Sequence, residues 1–562
     1  MRKLLTAATL AFATLALGAA GTAAAATWKG KTTEYVVLYK TGAPLANARL
    51  AVRQAGGLIV HENTKVGLAT AYSANPRFLA EAQQHGALAG AARHFPVGRV
   101  TTGGAKPDTV ERLTPSERAR ATSRARRVPA PRAGAEPLAG LQWDMAMMHA
   151  TVDGSYPYQP GDRRVKVGII DTGIEADHPD LAPNFNTGLS RNFTTDIPSV
   201  NGIEIDGPCE VPSCHDPANV DDNGHGTHTA GTVGAALNGL GIAGVAPRID
   251  LLNLRAGQDS GYFFLQPTID ALTFAGDHGV DVVNMSYYID PWLYNCINSP
   301  EDPPEARREQ GMIYEATQRA LDYAYDRGVT LVSSIGNGHT DLDNPTIDTS
   351  SPDYPPGSEY PRHVNNWCRD MPTEGNNVIS VISVGPSKMK ADYSNWGTEG
   401  PVIAAPGGWF RDYPGTPQSR QVENLILSTY SERLARLHGE LNPDGTPNTP
   451  FVVRDCAGGV CAYYQWLQGT SMAGPHVAGA AALLISQWGE VTDPDGGLGM
   501  PPARTTKGLL MRAVNHPCPN PPYIDYSAAG RPPEWNARCV GDNEQNNIWG
   551  EGIVDAVRLV RR

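Results

Sequence analysis

The sequence predicts an α/β protein whose main domain is a doubly wound, mostly parallel sheet flanked by helices, preceded by a small α+β domain. Two observations lead to this prediction. After residue 136, short apolar runs alternate with helical patterns, and this alternation is typical of parallel sheets with helices on both faces. Before residue 100 the elements follow the order β-α-β-β-α-β, which is the ferredoxin-like split βαβ arrangement.

The first residues have the layout of a secretion signal. Arg2 and Lys3 precede an apolar run to about Leu17, and small residues follow up to Ala26. The run is short for a membrane span and is interrupted by threonines. We therefore expect residues 1–26 to be removed and the mature protein to be secreted; a membrane anchor is the alternative interpretation.

Residues 27–100 are expected to form the small domain. Its predicted strands are Tyr35–Tyr39, Gly57–His61, Leu68–Tyr72 and Leu88–Phe95, and its predicted helices are residues 44–55 and Pro76–His85. Residues 101–135 then turn to Pro, Ala, Ser and Arg without a periodic apolar face, and they include the basic run Arg124-Ala125-Arg126-Arg127. This composition predicts an exposed, cleavable linker.

The main domain is expected to span residues 136–562. Its strand candidates are Val165–Ile170, Leu251–Leu254, Val280–Met285, Val329–Ile335 and Val378–Val384. Helical patterns separate several of them, as in Thr268–His278 and Ile313–Arg327. In such sheets the chemistry gathers at the carboxyl ends of the strands, and Asp171 and Asn337 lie at or just after such ends.

Charge is divided unevenly along the chain. Of the 46 Lys and Arg residues, 19 fall within residues 1–135, whereas only 6 of the 58 Asp and Glu residues do. Because opposite charges attract, the basic front is expected to dock on the acidic remainder. Its arginines lie in a Pro/Ser/Ala-rich stretch without interleaved aromatic residues, so we expect no nucleic-acid partner.

Eight cysteines, an even number, indicate disulfides and an oxidising compartment. Proximity in sequence favours Cys209–Cys214, Cys456–Cys461 and Cys518–Cys539, and Cys296–Cys368 would then join two insertions. Eight cysteines allow many other pairings, so this one is a hypothesis. No Cys-x-x-Cys pair suggests zinc.

Three short segments stand out for their chemistry. They are Asp171-Thr-Gly-Ile with His178-Pro-Asp-Leu downstream, Asn223-Gly-His225-Gly-Thr-His228-Thr-Ala-Gly, and Gly469-Thr-Ser471-Met-Ala-Gly-Pro-His-Val-Ala-Gly. Together they resemble the three signatures of the subtilisin-like serine peptidases, and the order Asp, His, Ser is the subtilisin one. The resemblance runs from about Gln142 to Asp555. It implies a subtilisin-like fold and a catalytic triad of Asp171, His225 and Ser471.

These residue types also suit the chemistry on physical grounds. A serine hydroxyl is a poor nucleophile until an imidazole accepts its proton, and the imidazole needs orienting. Ser471 precedes an apolar helix predicted from Ala473 to about Gln487, with Pro475 in its first turn. The unpaired N–H groups and positive end of that helix would favour the oxyanion of the transition state. The alternative interpretation of Gly-Thr-Ser is a plain helix cap.

Two further polar residues have competing interpretations. Val332–Gly338 resembles the family segment that supplies the side-chain donor of the oxyanion hole, which implies that role for Asn337; an Asn-Gly turn is the alternative. His225 and His228 could share one helical face as a metal pair, but the zinc-protease pattern needs histidines four apart with Glu beside the first. The resemblance leaves His228 as a helix-packing residue.

The resemblance also implies that substrate peptides pair as an extra strand with Asn284–Tyr288. The primary specificity pocket would be formed by Ser286, Tyr287, Tyr288, Ser333, Ser334, Ile335 and Gly336. Where the family commonly has glycine, this chain has Tyr288, a departure that would narrow or reshape the pocket. We therefore expect smaller or unusually shaped side chains before the scissile bond, rather than Phe or Leu.

The chemistry requires no organic cofactor, and structural calcium is left open. The loop Leu237–Pro247 resembles the shorter version of one that carries a calcium site in some relatives, so no family ligand set can be read. Oxygen ligands are offered by Asp341, Asp343, Asp348 and Asp353, although acidic loops are as often merely solvated. Insertions at about 289–312, 339–370 and 409–465 are rich in Pro, Gly, Asp and Tyr, and we expect them to rim the cleft.

These features predict a secreted serine endopeptidase made as a self-processing zymogen. The resemblance implies that the small domain is an inhibitory and folding-assisting propeptide, a partner that autocatalysis removes. We expect protein or peptide substrates, a monomeric enzyme, and no membrane contact after signal removal. Two alternatives stay open: a maturation protease dedicated to one protein, and a catalytically silent protein of the same fold that binds peptides.

Overall fold

The computed structural model describes residues 32–93, 111–121, 132–200, 202–492 and 496–561. The predicted signal peptide, Phe95 and the basic run Arg124–Arg127 lie outside these residues. Among the described residues, no helix has the length and apolar character needed to cross a membrane.

The small domain has the predicted order of elements. Its bounds are β1 (Thr33–Tyr39), α1 (Leu45–Gln54), β2 (Gly57–Asn63), β3 (Leu68–Ser73), α2 (Phe78–Gln83) and β4 (Leu88–Arg93). The strands form an antiparallel sheet in the order β2-β3-β1-β4, as the ferredoxin-like arrangement requires. Predicted and observed bounds of these elements differ by no more than two residues.

The sheet of the small domain is covered on both faces. Side chains alternate along a strand, so Tyr35 and Val37 of β1 pack on the helices of the small domain itself. Val36 and Leu38 point the other way and join a core of the main domain. The small domain therefore docks through one face of its sheet.

The remaining strands run from residue 166 onwards. In chain order they are β5 (Lys166–Ile170), β6 (Arg191–Asn192), β7 (Ser199–Val200), β8 (Ile203–Glu204), β9 (Asp250–Arg255), β10 (Val282–Met285), β11 (Thr330–Ser334), β12 (Ile347–Asp348), β13 (Arg362–His363), β14 (Val378–Val384), β15 (Val402–Pro406), β16 (Ile426–Tyr430), β17 (Val452–Ala457), β18 (Val460–Leu467), β19 (Glu490–Val491), β20 (Leu498–Gly499), β21 (Tyr523–Ile524) and β22 (Ala537–Arg538). All five strands predicted for the main domain are present.

The remaining helices are more varied in length. They are α3 (Pro115–Arg118), α4 (Trp143–Met147), α5 (His225–Gly234), α6 (Leu265–Asp277), α7 (Pro304–Tyr325), α8 (Glu432–Leu437), α9 (Thr470–Trp488), α10 (Pro502–Leu510) and α11 (Ala556–Val560), with 3₁₀ turns at Ala139–Leu141, Val422–Asn424, Ser527–Ala529 and Pro533–Trp535. The helix predicted at Ile313 begins earlier, at Pro304. Its first turns lie in the proposed 289–312 insertion. Polar residues interrupt the periodic pattern of apolar residues there, so the sequence did not predict this part of the helix.

A parallel sheet forms the centre of the main domain. Within the described residues it has seven strands in the order β15-β14-β11-β10-β5-β9-β6. Helices cover both faces: Ile169 of β5 lies in the core with α5 and α9, and Ile170 lies in the core with α6 and α7. This is the doubly wound arrangement that the sequence predicts.

The segment proposed as a 409–465 insertion is more ordered than its composition suggests. It contributes a three-stranded antiparallel sheet in the order β16-β18-β17. Apolar residues such as Tyr464 and Trp466 anchor it on the main domain. Its Pro and Gly residues lie outside these strands, in the segment before β16 and in the connections between the strands.

The four disulfides join the hypothesised pairs: Cys209–Cys214, Cys296–Cys368, Cys456–Cys461 and Cys518–Cys539. All eight cysteines of the sequence are thereby paired. The pairing hypothesis is therefore confirmed, and Cys296–Cys368 ties the first proposed insertion to the second.

Candidate active site

Four polar residues from separate parts of the sequence meet at the carboxyl edge of the parallel sheet. Asp171 follows β5, Asn337 follows β11, His225 begins α5 and Ser471 lies in the first turn of α9. His225, Asn337 and Ser471 line one cavity of about 680 Å³, and Asp171 lies behind His225. The structure thus brings together the four residues that the sequence predicts as catalytic.

Asp171 orients His225. Its Oδ1 lies 2.7 Å from Nδ1 of His225, and the carboxylate is fully buried. Asp171 also accepts hydrogen bonds from the backbone N–H of Thr172 at 2.7 Å and the hydroxyl of Thr229 at 3.3 Å. These contacts fix the imidazole so that its Nε2 faces the cavity.

Helix α9 begins earlier than predicted, and this corrects the position of Pro475. The helix starts at Thr470, so Ser471 lies within its first turn and Pro475 lies inside the helix. Proline has no N–H, which leaves the carbonyl oxygen of Ser471, four residues earlier, without its helical donor. The hydroxyl of Ser286 donates to that oxygen at 3.2 Å, and Ser471 Oγ donates to the carbonyl of Ser286 at 3.3 Å. Pro475 thus couples Ser471 to the predicted substrate-binding segment.

Asn337 is held with its amide nitrogen towards the cavity. Its Oδ1 accepts hydrogen bonds from the backbone N–H and the hydroxyl of Thr470, both at 2.9 Å. Its Nδ2 donates to Oε1 of Glu111 at 3.4 Å. A side chain fixed in this way can donate to an anionic oxygen beside Ser471.

Glu111 also belongs to this site, although no sequence pattern predicts it. Its carboxylate lies among the catalytic candidates, with Oε2 3.3 Å from Nε2 of His225. Burial disfavours its charged form, but the charge and hydrogen bond of His225 and a hydrogen bond from Ser471 outweigh burial, so the pKa of Glu111 is lowered. Burial likewise opposes the charged form of His225, yet Asp171 and Glu111 together raise its pKa well above the usual value.

The segment that contains Glu111 packs on the main domain. This corrects the prediction that the linker at residues 101–135 is exposed. Leu113 is 3% exposed and packs in an apolar core with Leu138 and Leu141. Arg112 donates to the carbonyl of Asn223 at 3.0 Å, next to His225. Glu117 contacts Arg411 at 2.9 Å. A single apolar side chain in a basic, Pro-rich stretch forms no periodic apolar pattern. The sequence therefore does not reveal that residues 111–121 pack on the main domain.

Five of the seven residues predicted to form the specificity pocket line the cavity. They are Ser286, Tyr287, Tyr288, Ser334 and Gly336. Ser333 and Ile335, which the sequence also predicts there, are buried in the protein interior and are not among its lining residues. The strand geometry explains this, because alternate side chains point away from the cleft.

The 339–370 insertion reaches the cavity, as predicted for a rim loop. It supplies Thr349, Ser350, Asp353, Glu359 and Asp370 to the lining. The sequence did not single out the last two carboxylates and offered Asp353 only as a calcium ligand. Irregular loops carry no periodic signal that would place individual side chains.

Two of the four aspartates that the sequence offers as possible calcium ligands have protein partners. Asp348 pairs with the buried Arg362, and Asp353 accepts a hydrogen bond from Tyr288. Elsewhere, the described residues contain a group whose carboxylate oxygens lie within 4.8 Å of one another: Asp196, Glu210, Asp216 and Asp259.

His228 has the packing role that the sequence favours. It is fully buried, and its Nε2 contacts the carbonyl oxygens of Gln465 at 3.1 Å and Ile426 at 3.3 Å. Burial lowers the pKa of His228 to about 3. The neutral imidazole of His228 therefore holds α5 against β16 and β18, one turn after His225.

Comparisons with known proteins agree with this architecture. The subtilase family (peptidase S8) matches residues 162–552. Subtilisin DY of Bacillus licheniformis is 29% identical over 328 residues, 58% of this chain and 77% of that protein. Thermitase of Thermoactinomyces vulgaris is 28% identical over 323 residues, with 57% and 75% covered. The epidermin leader peptide processing serine protease EpiP of Staphylococcus aureus has the same fold, with a TM-score of 0.58 at 20% identity over 94% of this chain and 98% of that one.

Proposed function

This chain belongs to the subtilase family of serine peptidases, and on that premise we propose that it is a secreted endopeptidase made as a self-processing zymogen. Asp171, His225 and Ser471 are its triad, and Asn337 is its side-chain oxyanion donor. The observation that carries the proposal is the 2.7 Å contact between Asp171 and His225 at a cavity lined by Ser471 and Asn337.

The reaction is acyl transfer to water. Nε2 of His225 takes the proton of Ser471 as Oγ attacks the peptide carbonyl, and then gives it to the leaving amine. Asp171 stays ionised and holds the imidazolium. The amide of Asn337 and the backbone N–H of Ser471 stabilise the tetrahedral oxyanion. Water then attacks the acyl-enzyme, with His225 as general base, and releases the second product.

The zymogen part of the proposal rests on Glu111 and the small domain. The Glu111 carboxylate lies between His225 and Asn337, which is the position the substrate carbonyl needs. A carboxylate there pairs with protonated His225 and blocks its use as a base. Residues 32–93 add a large docked surface through β1 and α7. Both features favour an inhibited precursor whose front part must be removed.

Processing can be tested on the secreted precursor. Intact mass and N-terminal sequencing should show that wild type loses about the first 135 residues, whereas Ser471→Ala keeps everything after the signal. Identical processing of both proteins would contradict autocatalysis. Labelling of Ser471 by a fluorophosphonate probe in the processed wild type would further exclude a catalytically silent fold.

A maturation protease dedicated to one partner is the second candidate. EpiP is named for processing a leader peptide, and here the 339–370 insertion supplies polar side chains to the cavity, which would narrow substrate choice. Digestion of casein, compared with digestion of a defined precursor peptide that has a single cleavage site, distinguishes a broad peptidase from a dedicated one. A broad degradative enzyme would digest casein at many sites, whereas a dedicated one would leave it nearly intact.

We also propose a structural calcium ion at the group of Asp196, Glu210, Asp216 and Asp259. Arg255, fully buried, contacts three of these carboxylates, so one guanidinium faces a group of four carboxyl side chains. Oδ2 of Asp196 is buried without a hydrogen-bond partner. Hard oxygen donors of this kind suit calcium. The ion would crosslink the loop before α5 to the end of β9 and has no part in catalysis.

A further inference from the structure

The cavity beside Ser471 has an acidic wall. Asp353, Glu359 and Asp370 line it, and all three come from the 339–370 insertion. Asp353 is 8% exposed and Asp370 is 3% exposed, so both carboxylates are largely removed from bulk water. Carboxylates that line a pocket give it a negative potential, which favours cationic side chains.

Two of these carboxylates flank the specificity pocket from opposite sides. The hydroxyl of Tyr288 donates a hydrogen bond to Oδ2 of Asp353, which places Asp353 beside the wall formed by Ser286–Tyr288. Asp370 lies beside the other wall, because a Cβ built on Gly336 would be 3.6 Å from its Oδ2. A side chain entering between the walls therefore meets a carboxylate on each side.

The insertion that carries these carboxylates is firmly braced. The buried guanidinium of Arg362 contacts Asp302 at 3.0 Å and Asp348 at 2.8 Å, which joins it to the 289–312 segment. The Cys296–Cys368 disulfide closes the same junction two residues before Asp370. Rigid support of this kind keeps charged groups in place for a ligand, without a reorganisation cost on binding.

Charge then decides which side chain the pocket accepts. Among the described residues that line the cavity there is no Lys or Arg. A Phe or Leu side chain would bring neither a positive charge nor a hydrogen-bond donor to Asp353 and Asp370. A Glu or Asp side chain would meet like charge, whereas a guanidinium can donate to carboxylates on both sides.

We propose that this pocket selects a basic residue, Arg before Lys, immediately before the scissile bond, with Asp353 and Asp370 as specificity-determining residues. The inference deepens the proposed peptidase function and rests on it. The linker of the chain itself offers such sites at Arg124, Arg126 and Arg127. The expectation of small or unusually shaped side chains rested on Tyr288, and this residue instead donates a hydrogen bond that positions Asp353.

The test uses mature wild-type enzyme and a series of succinyl-Ala-Ala-Pro-X-p-nitroanilides, with X as Arg, citrulline, Lys, Phe, Leu or Glu. Citrulline has the shape of arginine without its charge. We expect kcat/KM for Arg to exceed that for citrulline and for Phe by about 10²-fold or more, because citrulline lacks the positive charge of arginine and Phe lacks both the charge and the N–H donors. This comparison needs no variant and is independent of folding effects.

Variants that remove one charge test whether Asp353 and Asp370 cause the preference for Arg. Asp353→Asn and Asp370→Asn, matured by added wild-type enzyme, should each lower the Arg-to-Phe ratio of kcat/KM at least about tenfold, mainly through KM for Arg. Asp326→Asn, an exposed carboxylate at the end of α7 outside the cavity, is the matched control. Melting temperatures and the rate of fluorophosphonate labelling at Ser471 check that the variants are folded.

The outcomes are distinct. Hydrolysis that favours Phe or Leu, or that treats Arg and citrulline alike, would overturn the inference while leaving the peptidase function intact. An Arg preference that survives in both variants would overturn the assignment to Asp353 and Asp370. Failure to cleave any substrate, together with no labelling of Ser471, would overturn the peptidase function and with it the pocket as a substrate site.

Discussion

Asn337 is tied to Thr470 through its carbonyl oxygen, so only its amide nitrogen is available to a substrate. The Asn337→Ala change removes that donor and leaves the triad in place. We expect kcat to fall about 10²–10³-fold with little change in KM, because the donor acts on the developing oxyanion. Steady-state kinetics of the mature enzyme measures this. Asn344→Ala, at an exposed position, should have no effect, and a similar loss there would point to general destabilisation.

The pair of Glu111 and His225 makes inhibition of the precursor depend on pH. It requires an ionised Glu111, hence a pH above its lowered pKa, and a protonated His225, hence a pH below its raised pKa; the usual values are 4.5 and 6.5. Inhibition by this pair is therefore fully present near pH 5–6 and is lost as pH rises through the pKa of His225. Below the pKa of Glu111 the pair is lost as well, but there His225 remains protonated and inactive as a base.

The Glu111→Gln precursor tests this relation. The change removes one of the two charges that raise the pKa of His225, so the neutral imidazole appears at lower pH. We expect the self-processing rate of the variant to reach half its maximum at a lower pH than that of wild type. Gel analysis of refolded precursor over a pH series measures both curves. Coincident curves would show that Glu111 does not control His225, and Glu117→Gln serves as a control in the same segment.

At the scale of elements, the loop before α5 brings three carboxylates next to Asp259 and the buried Arg255. If calcium binds Asp196, Glu210, Asp216 and Asp259, saturation at about 100 times the dissociation constant adds roughly 2.7 kcal/mol. We expect a chelator to lower the melting temperature of the mature enzyme by about 3 °C, because the unfolding entropy of a domain of this size is about 0.9 kcal/mol/K.

The Glu210→Gln variant links the calcium effect to this group. Glu210 is exposed and is not among the carboxylates that form the described ion pairs with Arg255. Its change should therefore reduce the effect of chelator on the melting temperature without disturbing the buried arginine. Glu204→Gln, exposed in the same loop, should respond to chelator like wild type. A melting temperature that is insensitive to chelator in all three proteins would rule out a structural calcium ion here.

At the scale of the whole molecule, two features attach the small domain to the main domain: the buried face of its sheet and the guanidinium of Arg319. Arg319 on α7 donates to the carbonyl oxygens of Tyr39 at 2.8 Å and Val66 at 3.1 Å. In the inactive Ser471→Ala precursor, limited trypsin should cut the Arg-rich linker, and the freed small domain should stay bound. Adding Arg319→Glu removes the donor and places a negative charge against carbonyl oxygens, so the two parts should separate in gel filtration.

Arg308→Glu is the matched control for that experiment, because Arg308 is exposed on the same helix. It should leave the cut precursor associated. Separation of the cut precursor with an unchanged Arg319 would show that the linker, and not the docked face, holds the small domain in place.

The sequence alone determined the order of elements, the sheet architecture and the four residues that meet at its edge. Apolar periods fix helices and strands locally, and glycine-rich motifs around Asp171, His225 and Ser471 are short enough to read directly. Proximity along the chain also paired three disulfides and left only one partner for Cys296. These features depend on neighbours in sequence, which is why they could be predicted.

Only the tertiary structure decided what surrounds those residues. Glu111, Asp353 and Asp370 come from aperiodic segments, and their positions follow from long-range contacts such as the burial of Leu113 and the pairing of Arg362. The start of α9 ahead of Ser471, which moved Pro475 into the helix, was likewise set by packing on the sheet. Loop placement depends on the sum of many distant contacts, so no local pattern in the sequence encodes it.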